Sequence, residues 1–264
     1  MLDESLRKYL RSPGPEDNKY TRGVLGLVTG SEEFPGAAVL GVGASARTGV
    51  GMIRYVGPRQ VSDLVLTSYP EVVLGVGKVD AWVLGSGVSM QADAQIEAIR
   101  KAVQSPVAKV LDAGALQCVD WNTVPARTCI LTPHAGELAR LLDSFSQHLD
   151  LDYEAVARAA FLTNQVVLLK GSTTLIASPD GNVIAVGPNP SVLATAGTGD
   201  VLAGILGALL AANTMPNEEV NLVEIAALAV EIHSEAARRS SANGTVVAHD
   251  LISQIALVVS EWQL

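Results

Sequence analysis

The chain has 264 residues, 48% of them apolar and 17% charged, which suits a large buried core without disulfides or metal and rules out bulk disorder. Lys plus Arg number 18 against 27 Asp plus Glu, a net charge of −9. This balance argues against a nucleic-acid-binding face and against docking on anionic membranes.

The N-terminus, MLDESLRKYL, is charged and mixed, with no apolar leader core. Residues 1–22 are polar and contain Ser12-Pro13-Gly14-Pro15, so a short helix and a loop are expected there. Val24–Thr29 reads as a buried strand. Pro35–Thr48 opens with Pro at a first-turn position and is rich in small residues, which predicts a helix. Met52–Tyr55 and Asp80–Leu84 are strands, Ala92–Val103 a helix, and Val107–Leu111 and Thr128–Leu131 further strands. Leu151–Thr163 is helical and Val166–Leu169 is a strand. Strands alternating with helices imply right-handed crossovers and a mostly parallel sheet. Thr173–Ser178 and Asn182–Val186 flank Pro179-Asp180-Gly181 and form a hairpin with an Asp-Gly turn.

Three apolar helices close the chain, at roughly 199–213, 218–240 and 249–261. Mean hydropathy is +0.31. Yet the longest apolar run, Val201–Ala212, has 12 residues, short of the ~20 of a spanning helix, and reads as a buried core helix. Cys118 and Cys129 offer no disulfide framework and no metal-ligand spacing. A cytoplasmic protein is the default expectation. With aromatic residues at 4%, the core must be built from Ala, Val, Leu and Ile. No linker or internal repeat divides the chain. The expected organisation is a 1–22 extension and a single 23–264 domain, a three-layer α/β/α sandwich with a C-terminal hairpin plus helices.

Ligands of open parallel sheets bind at the carboxyl ends of the strands. Those positions read Gly30-Ser31, Gly85-Ser86-Gly87, Asp112, Thr132-Pro133-His134 and Lys170-Gly171. The strongest motif is Thr195-Ala196-Gly197-Thr198-Gly199-Asp200, directly before an apolar helix. Gly197 and Gly199 can aim successive N–H groups at one anion, and the helix N-terminus adds donors and partial positive charge. Asp200 is either a helix cap or, beside an anion nest, a general base for an attacking hydroxyl.

Gly41–Ala46 (GVGASA) imitates a dinucleotide fingerprint but lies inside a helical pattern, so its small residues are read as packing against the sheet. Val72–Gly77 (VVLGVG) lacks a following helix start, and Gly171–Gly181 contains no Walker sequence. His233 reads as a structural histidine on an apolar helix, and His148 and His249 as surface or cap positions. His134 is equally a loop residue or a ligand contact. Lys170 either snorkels at a sheet edge or holds an ammonium near phosphate.

Five segments occur in order across nearly the whole chain: Lys19–Gly30 with Pro35–Ala38; Gly85–Gly87; Leu131–Glu137 (LTPHAGE); Leu168–Ala177 (LLKGSTTLIA) with Pro179–Gly181; and Leu193–Gly204 (LATAGTGDVLAG). Together they resemble the ADP-dependent NAD(P)H-hydrate dehydratase family of the ribokinase-like superfamily. The resemblance implies repair of a hydrated reduced nicotinamide cofactor, NADHX or NADPHX. ADP phosphorylates the added hydroxyl of the S-epimer, and phosphate then leaves, giving NAD(P)H, AMP and phosphate. Carried over by motif, Asp200 is the catalytic base, and Ala37, Gly87, His134 and Asp200 contact the hydrate. Lys170, Gly171, Ser172, Thr173, Thr174 and Gly199 contact the nucleotide, and Ala196, Gly197, Thr198 and Gly199 form the anion hole. Mg²⁺ would be held largely by phosphates and water, with no protein metal cage, and the family implies a homo-oligomer, a tetramer.

Ala196 stands where many members have Gly, Pro190-Ser191-Val192 where many have a Gly-Asn pair, and Ser86 where many have Pro. With about 22 residues before the first strand, the epimerase domain that precedes this one in some relatives is not expected. The alternatives are a ribokinase-like small-molecule kinase acting on a vitamin-precursor alcohol, which shares the glycine-rich aspartate loop, and a catalytically silent nucleotide-binding protein.

Overall fold

The strands Val24–Val28 (β1), Ala81–Leu84 (β4) and Val166–Leu169 (β7) are buried at every position. Such continuous burial belongs to parallel strands covered on both faces. Successive side chains of a strand point to opposite faces. Accordingly Leu25, Leu27, Ala81 and Val83 enter one core, and Val24, Val28, Trp82 and Leu84 enter the other. The computed structural model describes residues 4–214, 220–242 and 244–263.

Among these residues the sheet has nine strands. The remaining six are Met52–Tyr55 (β2), Val73–Leu74 (β3), Ala108–Leu111 (β5), Cys129–Leu131 (β6), Thr174–Ala177 (β8) and Val183–Val186 (β9). Their order is β3-β2-β1-β4-β5-β6-β7-β8-β9. Pairing is parallel from β3 to β7 and antiparallel at β7–β8 and β8–β9. One face carries Pro35–Thr48 (α1), Arg59–Ser68 (α2) and, later in the chain, Thr198–Asn213 (α7), Leu222–Ser241 (α8) and Ala248–Trp262 (α9). The other carries Asp93–Val103 (α3), Ala115–Cys118 (α4), Ala135–Ser144 (α5) and Tyr153–Thr163 (α6). This is the expected three-layer sandwich.

Four elements were not expected: α2, β3, α4 and α5. Helix α2 buries only Val61, Ser62 and Val65. Both residues of β3 are exposed, and its pairing with Arg54 and Tyr55 alone defines it. The helix predicted from 218 begins at Leu222, and residues 218 and 219 lie outside the described residues. Among the described residues, no helix is long and apolar enough to cross a membrane.

The small residues of α1 do not serve the purpose assigned to them. Their closest approach is to α7, not to the sheet. A Cβ on Gly204 would collide with the Gly41 carbonyl and stand 2.9 Å from Ala44 Cβ. The Ser45 hydroxyl donates to the carbonyls of Gly41 at 2.7 Å and Gly204 at 3.0 Å, binding the two backbones together.

Near the N-terminus, residues Glu4–Tyr9 form a 3₁₀ turn that buries Leu6, with Leu10 buried just beyond it. Tyr9 Oη donates to Glu224 at the start of α8 at 2.7 Å, and Asn213 Nδ2 donates to the Tyr9 carbonyl at 3.0 Å.

Candidate active site

Strands β1, β4, β5, β6 and β7 run parallel, so their carboxyl ends share one edge. The ladder continues past the strands. Gly30 N–H donates to the Ser86 carbonyl at 2.7 Å, Thr132 N–H to Leu111 at 3.0 Å and Lys170 N–H to Pro133 at 2.9 Å. The edge therefore holds Gly30, Gly85–Gly87, Asp112, Thr132–His134 and Lys170 in a fixed row. The strand order reverses between β1 and β4, the crevice where open sheets bind ligands.

Asp112 is the hub of this row. Its carboxylate is buried and accepts from Ser86 Oγ at 2.9 Å, Thr132 Oγ1 at 2.7 Å and Lys170 Nζ at 2.8 Å. Burial pushes its pKa up, but Lys170 and these hydrogen bonds outweigh burial and hold it below the ordinary value. For Lys170, burial works against the ammonium, and Asp112 and Glu137 prevail, raising its pKa. Glu137 Oε2 lies 3.8 Å from Lys170 Nζ. It also accepts from the His134 N–H at 2.8 Å, while Gly136 N–H donates to His134 Nδ1 at 3.0 Å. This reciprocal capping box starts α5. Since Nδ1 accepts, the neutral ring carries its proton on Nε2, which lies 3.5 Å from Glu137 Oε1.

The N-cap of α7 is Gly197, at φ 91°. The positive φ therefore falls on a glycine, and Ala196 is not among the positive-φ residues. Thr198 Oγ1 donates to the carbonyls of Leu193 at 2.8 Å and Thr195 at 2.9 Å, which pins the loop ahead of the helix. Asp200 lies in the first turn and caps nothing, and among the described residues its carboxylate has no hydrogen-bond partner. Burial, with Asp112 adding repulsion and Lys170 partly offsetting it, raises its pKa to about 7. A carboxyl poised there suits general-base work near neutral pH.

Beside this turn is a cleft of about 460 Å³. Lys170, Gly171, Ser172, Thr174, Thr198 and Gly199 line it, whereas Thr173 does not. A Cβ on Gly199 would stand 3.6 Å from Lys170 Nζ, so the ammonium faces the helix start. The Thr174 hydroxyl accepts from Asn189 Nδ2 at 2.9 Å. Asn189 Nδ2 also reaches the Gly171 carbonyl at 2.9 Å, and Asn189 Oδ1 accepts from Ser234 Oγ at 2.8 Å.

His233 is a structural histidine that also borders the cleft. It is buried, as a structural histidine would be, but it forms part of the cleft wall, and its Nε2 has no partner. Burial lowers its pKa to about 4 despite a hydrogen bond to the Thr198 backbone, so the ring is neutral at pH 7. Nothing in its sequence setting marked it apart from an ordinary polar residue on an apolar helix. Asn189, Ser234 and Glu137 also went unmarked as members of the site.

Ala37, in the first turn of α1, and Gly87, after β4, pack against each other. Gly87 is at φ 64°, and a Cβ there would collide with Ala37 Cβ. One turn along α1, a Cβ on Gly41 would stand 3.6 Å from the Asp200 carbonyl oxygen. Asp200 thus backs onto α1 one turn from Ala37, while its Oδ2 would stand 4.0 Å from a Cβ on Gly197. His148 and His249 lie on the surface. Among the described residues, no group of three His, Cys, Asp or Glu side chains is arranged to hold a metal ion.

A sequence profile described as NAD(P)H-hydrate dehydratase matches residues 25–257. The bifunctional NAD(P)H-hydrate repair enzyme Nnr of Mycobacterium tuberculosis is 40% identical over 216 residues. That match covers 78% of this chain and 44% of the relative, so the chain spans less than half of that protein's length. The ADP-dependent (S)-NAD(P)H-hydrate dehydratase of Neisseria meningitidis serogroup B is 32% identical, over 97% of this chain and 90% of the relative. Among solved structures, an ADP/ATP-dependent NAD(P)H-hydrate dehydratase from Bacillus subtilis, co-crystallised with ATP/Mg²⁺, is similar at TM-score 0.82 and 26% identity, over 98% of this chain and 97% of that one. Ribokinase from Thermotoga maritima shares the fold at TM-score 0.57 and 14% identity, over 88% and 99% of the two chains.

Proposed function

The chain belongs to the NAD(P)H-hydrate dehydratase family, and from that premise we propose that it dehydrates the S-epimer of NAD(P)H hydrate at the expense of ADP, releasing NAD(P)H, AMP and phosphate. The observation that carries this reading is Asp200, an unpaired and partly buried carboxyl in the first turn of α7, beside the Gly197 turn and within the field of Lys170.

ADP takes the cleft. Lys170 and the backbone of Gly171–Thr174 lie along its phosphates, and the N–H groups of Ala196–Gly199 form the anion hole for the transferred phosphoryl group. Such transfer needs positioning and charge stabilisation above all. The hydrate lies against Ala37, Gly87 and His134, with its ring hydroxyl at Asp200. Asp200 takes the hydroxyl proton as oxygen attacks the β-phosphorus of ADP. AMP leaves, and loss of the new ester as phosphate, with a proton departing from the neighbouring ring carbon, then restores the ring double bond. Lys170, held between Asp112 and Glu137, keeps one ammonium beside the migrating charge.

A Mg²⁺ ion would be carried on the ADP phosphates and water and would supply charge neutralisation there. The reading extends to a catalytic unit of residues 23–264 acting as a homotetramer in the cytoplasm, its assembly being checked by sedimentation velocity. The deciding experiment incubates the pure protein with (S)-NADHX, ADP and Mg²⁺. The near-ultraviolet absorbance of reduced nicotinamide should return, with AMP and phosphate formed in equal amount. Reduced cofactor formed without nucleotide consumption sinks the coupled mechanism, and phosphorylation of a vitamin-type alcohol without hydrate turnover favours the simple kinase.

A further inference from the structure

Between the carboxyl ends of β1, β2 and β4 lies a second cleft, of about 530 Å³, to which the proposed reaction assigns no role. It sits where the strand order reverses, and its volume is that of a small-molecule site. The loop after β1 (Ser31–Glu33), the loop after β2 (Val56–Pro58) and the first turn of α3 form its walls.

Two independent observations define its chemistry. Gln95 in α3 is 5% exposed, and its Nε2 donates to the Gly30 carbonyl at 2.5 Å, yet its Oε1 has no partner. A buried acceptor left unmade is costly, so this amide calls for a donor from an occupant. Glu32, Glu33 and Asp93 stand exposed around the cleft, and among the described residues no Lys, Arg or His lines it. Arg59, next to Pro58, is paired with Asp63 at 2.8 and 2.9 Å.

The cleft adjoins the proposed hydrate contacts. Phe34 follows Glu33 and is 51% exposed, and its carbonyl oxygen would stand 3.1 Å from a Cβ on Gly87. A dinucleotide with its nicotinamide end at Asp200 must place its adenosine end outside the ADP cleft, and this opening lies next along the edge.

We infer that the switch-point cleft holds the adenosine end of the hydrate, with Gln95 Oε1 accepting from the adenine amino group and the surrounding carboxylates accepting from the ribose 2′-hydroxyl, so that the chain selects NADH hydrate over NADPH hydrate. The inference rests on the hydrate reading above. An acidic residue suits a free 2′-hydroxyl, whereas a 2′-phosphate is served by arginine. Here the phosphate would meet three carboxylates and no cation.

The test compares kcat/KM for (S)-NADHX and (S)-NADPHX at saturating ADP. NADHX should be favoured by about tenfold or more at low salt. The triple variant Glu32→Gln, Glu33→Gln, Asp93→Asn, confined to exposed positions, should narrow that ratio to within about threefold by improving turnover of NADPHX. Gln95→Leu should raise KM for both hydrates more than it lowers kcat. Equal use of both hydrates, a preference for NADPHX, or a ratio unmoved by the triple variant overturns the inference alone. Turnover of neither hydrate overturns the proposed activity and this inference with it.

Discussion

Replacing Asp200 with Asn separates a base from a structural residue. The side chain keeps its size but cannot accept the proton, and general-base contributions are typically ~10²–10⁴-fold, or about 3–5 kcal/mol of barrier. The same substitution should alter stability, and the sign follows from the pKa. The carboxyl rises from 3.8 to about 7 on folding, chiefly through burial and then through Asp112. The folded state therefore holds this proton more tightly than the unfolded state. Stability from this group is full below about pH 4, falls as pH rises to 7 and is level above that. At about 1.36 kcal/mol per unit, the shift sets a ceiling of about 4 kcal/mol on the penalty at pH 8. Solvent reaches part of the side chain, so an expected penalty of about 1–2 kcal/mol is more realistic. Asn carries no such penalty. Urea unfolding should show Asp200→Asn to be more stable than the parent at pH 8, with the advantage shrinking at pH 5. Single-turnover assays should show at least about a hundredfold loss of hydrate dehydration, with AMP still bound. Activity within about threefold of the parent, well under that range, or a stability difference independent of pH, would refute the assignment.

AMP should slow amide exchange in residues 170–174 and 196–200 and leave Gly41–Ala46 unchanged; protection of the α1 glycines instead would move the nucleotide site. Lys170→Met should destabilise by about 2–4 kcal/mol at pH 8, because Asp112 is left as a buried carboxylate without its cation, and by less at pH 4, where that carboxyl can take a proton. Equal losses at the two pH values would show that the pair contributes through packing alone. Gly204→Val should cost at least about 2–3 kcal/mol, since its Cβ collides with the backbone of α1 and overpacking has few ways to relax; differential scanning fluorimetry with an unchanged melting temperature would contradict the helix crossing described above.

Most of the sheet was readable because its parallel strands are short, apolar and closed by small or polar residues, as Val166–Leu169 is by Lys170-Gly171. The helices missed are those whose signals are weak. Helix α5 starts at His134, outside the favoured capping residues, and its capping box becomes visible only when Glu137 is seen reaching back. The row of strand-end residues was legible because topology alone puts them on one edge. Their pairing was not. Nothing local links Asp112 to Lys170, 58 positions apart, or brings Asn189 against Ser234. His233 is buried as read, and its place in the cleft wall was hidden for the same reason, because it depends on which wall α8 forms. The contrast between Ala196 and Gly197 was settled by backbone geometry, with the left-handed turn falling one residue later than the substitution.

The strand-end edge has two separate openings, one beside Lys170 and the start of α7 and one between the loops after β1 and β2 and the first turn of α3. On the proposed reading each ligand has its own doorway. Neither has to leave before the other arrives, and order of addition should be random in the kinetic sense. An inhibitor filling one doorway would leave the other open, so its potency against the second ligand should be noncompetitive. A molecule tethering a nucleotide to a hydrate mimic would have to thread past Asp200, and the shortest tether that still binds both ends would act as a ruler for the phosphoryl path.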